Sequence, residues 1–445
     1  MSSKETAQKL EDLAPIPDDK RSIPLWSYIL TYSSAVIVLM TFATSYFAIY
    51  PLGVLNFTQV VVATALAALV VGLLFAVNAF PGYKKGIPYA VQARSSFGVK
   101  GAKIATILRS LPAFAWLGIA TWAGGLALNV IAQSLWGFPD LKALWFIVFL
   151  VINVVLAVRG ITMMKWFNTY AAFILLILMT VGMVDVVRSG AYLGYEGFTF
   201  QGSWGLPFWS LFAVCIAGLT TGALNASDMS RHLIKSKGSR NNWLGHWLGI
   251  GPAWFYMYLL GAFYGMASGN ADPVAGLMEL APGLLMGIVL MVFVLAAQIS
   301  SNLLLNLLPP IHMLQDLSRK ISWKTGAIIS CAVCAATCPW ILFTTANYFK
   351  FMLYYAVFLG PILGITIADY WIVHRQQVDV EASYDTRQGS KYWFKGGFSW
   401  AAIIALVVGG IASVPVVDVS WVMGLPVAFV LYVLLRRVGV DRVAS

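Results

Sequence analysis

The chain has 445 residues, 60% of them hydrophobic and 11% charged. A soluble domain carries about 25% charged residues, and no soluble fold of this length hides so many apolar side chains. The net charge of +11 does not indicate nucleic acid, because the basic residues sit in short loops between apolar runs, where they mark topology.

The apolar residues fall into runs of about 18–25, long enough to cross the hydrocarbon core as helices. The alternating pattern of a membrane barrel is absent. The stretch before residue 26 is polar. The first apolar run is too long for a signal-peptide core and reads as a span. Twelve spans are predicted, at 26–50, 57–79, 104–133, 141–158, 162–187, 206–229, 243–268, 281–308, 325–344, 350–373, 397–414 and 418–436. One set of alternate loops carries Lys20, Arg21, Lys84, Lys85, Lys100, Arg231, Lys235, Lys324, Arg436 and Arg437, whereas the opposite loops hold only Lys142, Arg188 and Lys350. That bias places both termini in the cytoplasm of a multi-pass protein of the inner cell membrane. The organisation expected is a tail over 1–25, a ten-helix core over 26–373, a loop over 374–396, two further helices over 397–436 and a tail over 437–445.

Polar groups at bilayer depth are costly unless protein surrounds them, so they locate function. Span 6 contains Gly218-Leu219-Thr220-Thr221-Gly222 and then Asn225-Ala226-Ser227-Asp228. Two glycines among hydroxyls permit an unwound turn. Span 1 carries Thr41, Thr44 and Ser45, and interrupted helices in corresponding halves mark transporter binding sites. Span 8 carries Gln298, Ser300, Ser301, Asn302 and Asn306, a set suited to a desolvated cation or a polar ligand. Phe42, Tyr46 and Phe47 of span 1 and Trp116 and Trp122 of span 3 offer flat faces to a planar ligand. Arg109 lies nearer the cytoplasmic end of span 3, where it can snorkel or pair. Asp185, Asp228, Glu279 and Asp369 fall near span ends, which favours sodium over protons as coupling ion. Cys331, Cys334 and Cys338 share one apolar run without other metal-binding side chains and read as packing. No nucleotide loop, nucleophile elbow or zinc spacing occurs, so an enzyme is not expected. Transport would then follow an ion gradient or run passively.

Several segments resemble the bacterial nucleobase–cation symporters, the family of cytosine, hydantoin, allantoin and uracil permeases. They are Gly86-Ile87-Pro88-Tyr89 with Ala93-Arg94-Ser95-Ser96-Phe97-Gly98, Trp116-Leu117-Gly118-Ile119, Asn225-Ala226-Ser227-Asp228-Met229-Ser230-Arg231, and Ser300-Ser301-Asn302 with Asn306 and Pro309. Gly360-Pro361-Ile362-Leu363-Gly364 with Ala368-Asp369-Tyr370-Trp371, and Tyr392-Trp393 with Ser399-Trp400, continue the match in order. The resemblance implies an all-α fold of LeuT-like type, with a five-plus-five inverted repeat and two C-terminal helices. It also implies sodium-coupled import of a small nitrogenous heterocycle by alternating access, with no cofactor beyond the ion.

By the same resemblance, Ala297, Ser300 and Ser301 would bind sodium with span 1 carbonyls, placed around Ala43 and Thr44. Trp116 would stack on the substrate and Asn306 would hydrogen-bond it. Ala120, Gly218, Leu219, Phe42 and Tyr46 complete the expected pocket. Ala120 replaces a glutamine of hydantoin-type members, Leu219 an aromatic residue, and Ala113 a glutamine of cytosine permeases. Each lost partner should change discrimination by about 1–3 kcal/mol. The expected partners are a small-molecule substrate and the lipid bilayer, and a monomer suffices. The alternatives are an amino-acid or amine transporter on the same fold, proton coupling, a substrate sensor, or a membrane enzyme.

Overall fold

The computed structural model describes residues 14–159, 164–318 and 320–441; the side chains of 159, 164–169, 300, 301, 303–305, 312 and 316 lie outside that description. Each of the twelve predicted spans is met by a helix or a broken helix. The first half holds α1 (Leu25–Val36), α2 (Leu39–Ala48), α3 (Phe57–Lys85), α4 (Tyr89–Phe97), α5 (Gly101–Trp136), α6 (Lys142–Arg159) and α7 (Met164–Arg188). The second holds α8 (Leu206–Leu224), α9 (Ala226–Ser230), α10 (Arg240–Ser268), α11 (Pro273–Glu279), α12 (Leu284–Ser301), α13 (Leu308–Leu317), α14 (Trp323–Ala336), α15 (Pro339–Leu342) and α16 (Tyr348–Ala368). After α17 (Val380–Tyr384), α18 (Trp400–Ser413) and α19 (Ser420–Arg437) close the chain.

The two halves exchange packing partners. Helices α1 and α2 pack on α10, while α8 and α9 pack on α3; α1 also meets α7, and α8 meets α16. This is the contact pattern of two inverted five-span repeats, with α5 crossing between α6, α12, α13 and α14. The terminal hairpin of α18 and α19 lies against α16, where Gly364 lets the backbone of Leu425 approach so closely that a Cβ would fall 2.5 Å from its carbonyl oxygen.

Lipid-facing stripes follow the helical period. Leu66, Leu69 and Leu73 are exposed on α3, Ile147, Val151 and Val155 on α6, and Ile404, Val407, Val408 and Ile411 on α18. Trp26, Trp136, Trp204 and Trp400 are exposed at or beside helix ends, the depth at which tryptophan settles in a bilayer interface. Local signals set the boundaries. Asn56 and Gln59 form a reciprocal capping box at the start of α3, and Gly86 ends that helix at φ 73°, a conformation that costs glycine little.

The breaks fall at other places than the sequence suggests. Span 1 bends by 51° between α1 and α2, at Ile37 and Val38, with Val38 extended at φ −140°, ψ 154°. No glycine or proline lies there; Val36-Ile37-Val38 is a β-branched run, which loses side-chain freedom in a helix and favours extended backbone. In span 6, Gly218 and Gly222 remain inside the continuous helix α8, and the chain breaks at Asn225 instead. Gly222 serves close approach, since a Cβ there would meet the Phe75 ring at 2.9 Å, whereas one on Gly218 would lie 3.5 Å from Met352 Sδ. Span 8 passes through a π-helical segment, Asn302–Leu307.

Candidate functional site

Beside the break of span 1 lies a narrow cavity of about 80 Å³. Ala35, Val36, Val38, Met40, Thr41 and Thr44 line it from span 1, Arg109 and Trp116 from α5, and Gly218, Leu219, Thr221 and Gly222 from α8. Trp254, Tyr258, Asn306, Tyr348 and Met352 complete the wall. Small-molecule pockets typically measure about 300–1,000 Å³, so this cavity is narrower than a ligand of that class fills.

Trp116 is the flat wall. Its indole is backed edge-on by Tyr348, Phe351 and Tyr355, with ring centroids 5.9, 5.4 and 6.4 Å away. Both tyrosines also hold the interrupted spans. The Tyr348 hydroxyl donates to the Met40 carbonyl at 2.7 Å, and the Tyr355 hydroxyl to the Ala217 carbonyl at 2.9 Å. Asn306 projects from the π-helical segment, a distortion that recurs at functional sites. Its amide nitrogen donates to Asn302 Oδ1 at 3.1 Å, and Asn302 Nδ2 reaches Thr121 Oγ1 at 3.3 Å on α5. The polar face of span 8 is thereby tied to the helix that carries Trp116.

The break of span 6 is held by Asn78 of α3. Its Nδ2 donates to the carbonyls of Ala223 and Leu224 at 2.8 and 3.1 Å, and its Oδ1 accepts from Gln92 Nε2 and Thr366 Oγ1, both at 3.1 Å. Every bond is buried. Asn78→Ala should leave two helix-end carbonyls, an amide and a hydroxyl short of partners. At about 1–3 kcal/mol per stranded group, with partial relaxation, a loss of roughly 2–4 kcal/mol is expected. The melting temperature of the detergent-purified protein measures it; an unchanged value would show that these groups find other partners.

The structure gathers Trp116, Gly218, Leu219, Asn306 and Thr44 around the cavity and keeps other expected residues away from it. Phe42 is buried against Tyr46 and Tyr264. The Tyr46 hydroxyl bonds to Ser268 Oγ at 2.7 Å and to the Asn270 carbonyl at 2.8 Å, in the seam between α2 and the end of α10. Ala120 is fully buried one turn beyond Trp116. Ala43 is buried inside α2, where helical bonding occupies its carbonyl, and Thr44 Oγ1 donates to the Met40 carbonyl at 3.0 Å. The last turn of α1 is where carbonyls lack an intrahelical partner, and Ala35 and Val36 of that turn line the cavity. Ala297 is buried on α12; the side chains of Ser300 and Ser301 lie outside the described residues. Next to Ala297, Gln298 is buried with both amide atoms unpartnered among the described residues. Tyr348, Trp254 and Tyr258 were not singled out from the sequence, where no motif separates them from packing aromatics.

A sequence profile described as permease for cytosine/purines, uracil, thiamine and allantoin matches residues 15–436. The chain belongs to this permease family. Among its relatives, the hydantoin permease of Microbacterium maritypicum is 31% identical over 389 residues, covering 84% of this chain and 78% of the relative. The allantoin permease of Bacillus subtilis (strain 168) is 26% identical over 466 residues, covering 96% and 93%. Among solved structures, an inward-facing conformation of Mhp1 superimposes with a TM-score of 0.86 at 27% identity, covering 95% of this chain and 92% of that one. Mhp1, a nucleobase-cation-symport-1 family transporter, in a closed conformation with bromovinylhydantoin bound, gives 0.83 at 28% identity, covering 96% and 94%. A sodium-coupled sialic acid symporter shares the fold at 11% identity with a TM-score of 0.61. This permease is accordingly a membrane transporter and not an enzyme.

Proposed function

We propose that this permease imports a small nitrogenous heterocycle together with sodium, by alternating access at the cavity between the two broken spans. The observation that carries the reading is the pairing of a flat indole, Trp116, with an amide, Asn306, across one cavity. An apolar face and a few polar groups suffice to bind and orient a planar polar ring. The relatives named for hydantoin and allantoin support that substrate class. Among the described residues that line the cavity there is no carboxylate, so a substrate ammonium would lack its partner, and the amine reading is disfavoured.

Sodium is a hard ion that takes oxygen ligands. The carbonyls at the end of α1 and the serines of span 8 are the groups suited to it. Sodium would draw the two elements together and complete the pocket, a positive coupling that must be reciprocal. The cytoplasmic position of both termini, in the inner membrane, belongs to the same proposal and rests on the loop charges.

A thermal-shift screen of the purified protein tests it, with nucleobases, hydantoins, allantoin, amino acids and amines, each in sodium or choline. A ligand at 100 times its dissociation constant stabilises by about 2.7 kcal/mol. A heterocycle is expected to stabilise in sodium and much less in choline. Ser301→Ala is expected to weaken sodium and substrate binding together. Stabilisation indifferent to sodium would remove the coupling assignment, and stabilisation by amines alone would remove the substrate class.

A further inference from the structure

Arg109 is a guanidinium placed at the substrate cavity with no ion-pair partner among the described residues. It precedes Trp116 by seven residues on α5, two helical turns, so both side chains leave the same face. It is only 4% exposed, and it lines the same cavity as the indole. Its Nε donates to Asn225 Oδ1 at 2.7 Å. Asn225 Nδ2 in turn donates to Asp228 Oδ2 at 2.9 Å, and Asp228 Oδ1 accepts from the Tyr89 backbone N–H at 2.8 Å. The nearest carboxylate in this chain of bonds is therefore one amide removed, and it faces the span 6 break. Arg109 Nη1 is buried with no acceptor among the described residues.

A buried cation left without a direct counter-charge is expensive, and a guanidinium offers a planar fork of donors that fits a carboxylate. The described residues lining the cavity supply no carboxylate, so a ligand is the group that can bring this guanidinium a direct counter-charge within the cavity. Seven helical residues rise about 10.5 Å, a span that an arginine side chain and a ring with an exocyclic group cover together. We infer that the substrate is an anionic heterocycle, its ring against Trp116 and its carboxylate on Arg109. This rests on the heterocycle reading of the site given above.

Matched pairs that differ by one acid group test this on the full-length protein in sodium buffer: uracil against uracil-6-carboxylate, and hydantoin against hydantoin-5-acetate. In at least one pair the acid is expected to bind about tenfold tighter or more, the effect of a charge-assisted contact over a neutral one. Arg109→Gln should then abolish most of that preference between acid and neutral member, with Arg109→Lys in between because it keeps the charge and loses the fork. A purely structural role for Arg109 would lower the melting temperature without changing the preference between acid and neutral ligand, and would overturn the inference. Neutral members binding as tightly as their acids in wild type would overturn it too, whether or not the variants fold. If neutral heterocycles bind and acids do not, only this inference falls. If amines or amino acids alone bind, the heterocycle reading falls first and takes this one with it.

Discussion

Trp116→Ala is expected to abolish most substrate-dependent stabilisation and to lower the melting temperature without ligand as well. The two effects have separate causes. One side of the indole rests on Tyr348, Phe351 and Tyr355, and removing a packed tryptophan costs about 3–5 kcal/mol in a closed core. Here the loss should fall at or below the low end, because part of the ring already faces open space in the cavity. On the other side, stacking of a flat nitrogen ring on an aromatic residue contributes about 1–3 kcal/mol, which is roughly five- to 150-fold in affinity. Trp116→Phe keeps a face and should hold affinity within about tenfold. Trp122 supplies the control. It lies on the same helix, yet its ring meets Phe146 and Trp340 and does not line the cavity. Trp122→Ala should therefore lower stability and leave ligand affinity nearly unchanged. Equal loss of affinity in both variants would mean that the indole acts through stability alone and not as a substrate surface.

The contrast between these two tryptophans shows how far the sequence can be read. Composition and run length are enough for the twelve spans, because crossing a bilayer imposes length and apolarity on every segment. Helical phase is a different matter. Within the unbroken helix α5, Arg109 and Trp116 are seven residues apart, and their shared face follows from the spacing. In span 1 the bend at Ile37 and Val38 resets the phase, so the direction of Phe42 and Tyr46 cannot be extrapolated from α1. Both turn into the seam with α10. The π-helical turn at Asn302–Leu307 shifts span 8 in the same way. The glycines of span 6 misled for another reason. Glycine permits unwinding, but it also permits close packing, and the sequence alone does not distinguish them. The Phe75 ring seated against Gly222 settles it for packing, while Asn225, with its carbonyl neighbours held by Asn78, takes the break.

Two of the segments that carry the family resemblance, far apart in sequence, meet at a single carboxyl group, and its removal should have the largest effect on stability. Asp369 directly follows α16 and opens a π-helical turn, Asp369–Val373; it is 2% exposed. Its Oδ2 accepts from Ser95 Oγ at 2.6 Å and its Oδ1 from the Tyr432 hydroxyl at 2.7 Å, with His374 Nε2 3.4 Å away. One side chain thus joins α4, span 10 and the last helix, α19. Asp369→Ala would leave the Ser95 and Tyr432 hydroxyls only backbone acceptors, the Gln92 carbonyl at 3.0 Å and the Ser96 carbonyl at 3.4 Å, and would open a space between three elements, for an expected loss of about 3–5 kcal/mol. Asp369→Asn retains Oδ1 for Tyr432, and the Ser95 hydroxyl can rotate to accept from the new amide. It should lose only about 1–2 kcal/mol. The melting temperatures should fall in that order. The asparagine variant also addresses coupling, because it cannot exchange a proton at this position. If Asp369 is a joint between elements, Asp369→Asn keeps sodium-dependent uptake in proteoliposomes at a rate that follows its folded fraction. If uptake collapses while the protein remains folded, a proton step runs through this carboxyl, and sodium is not the sole coupling ion.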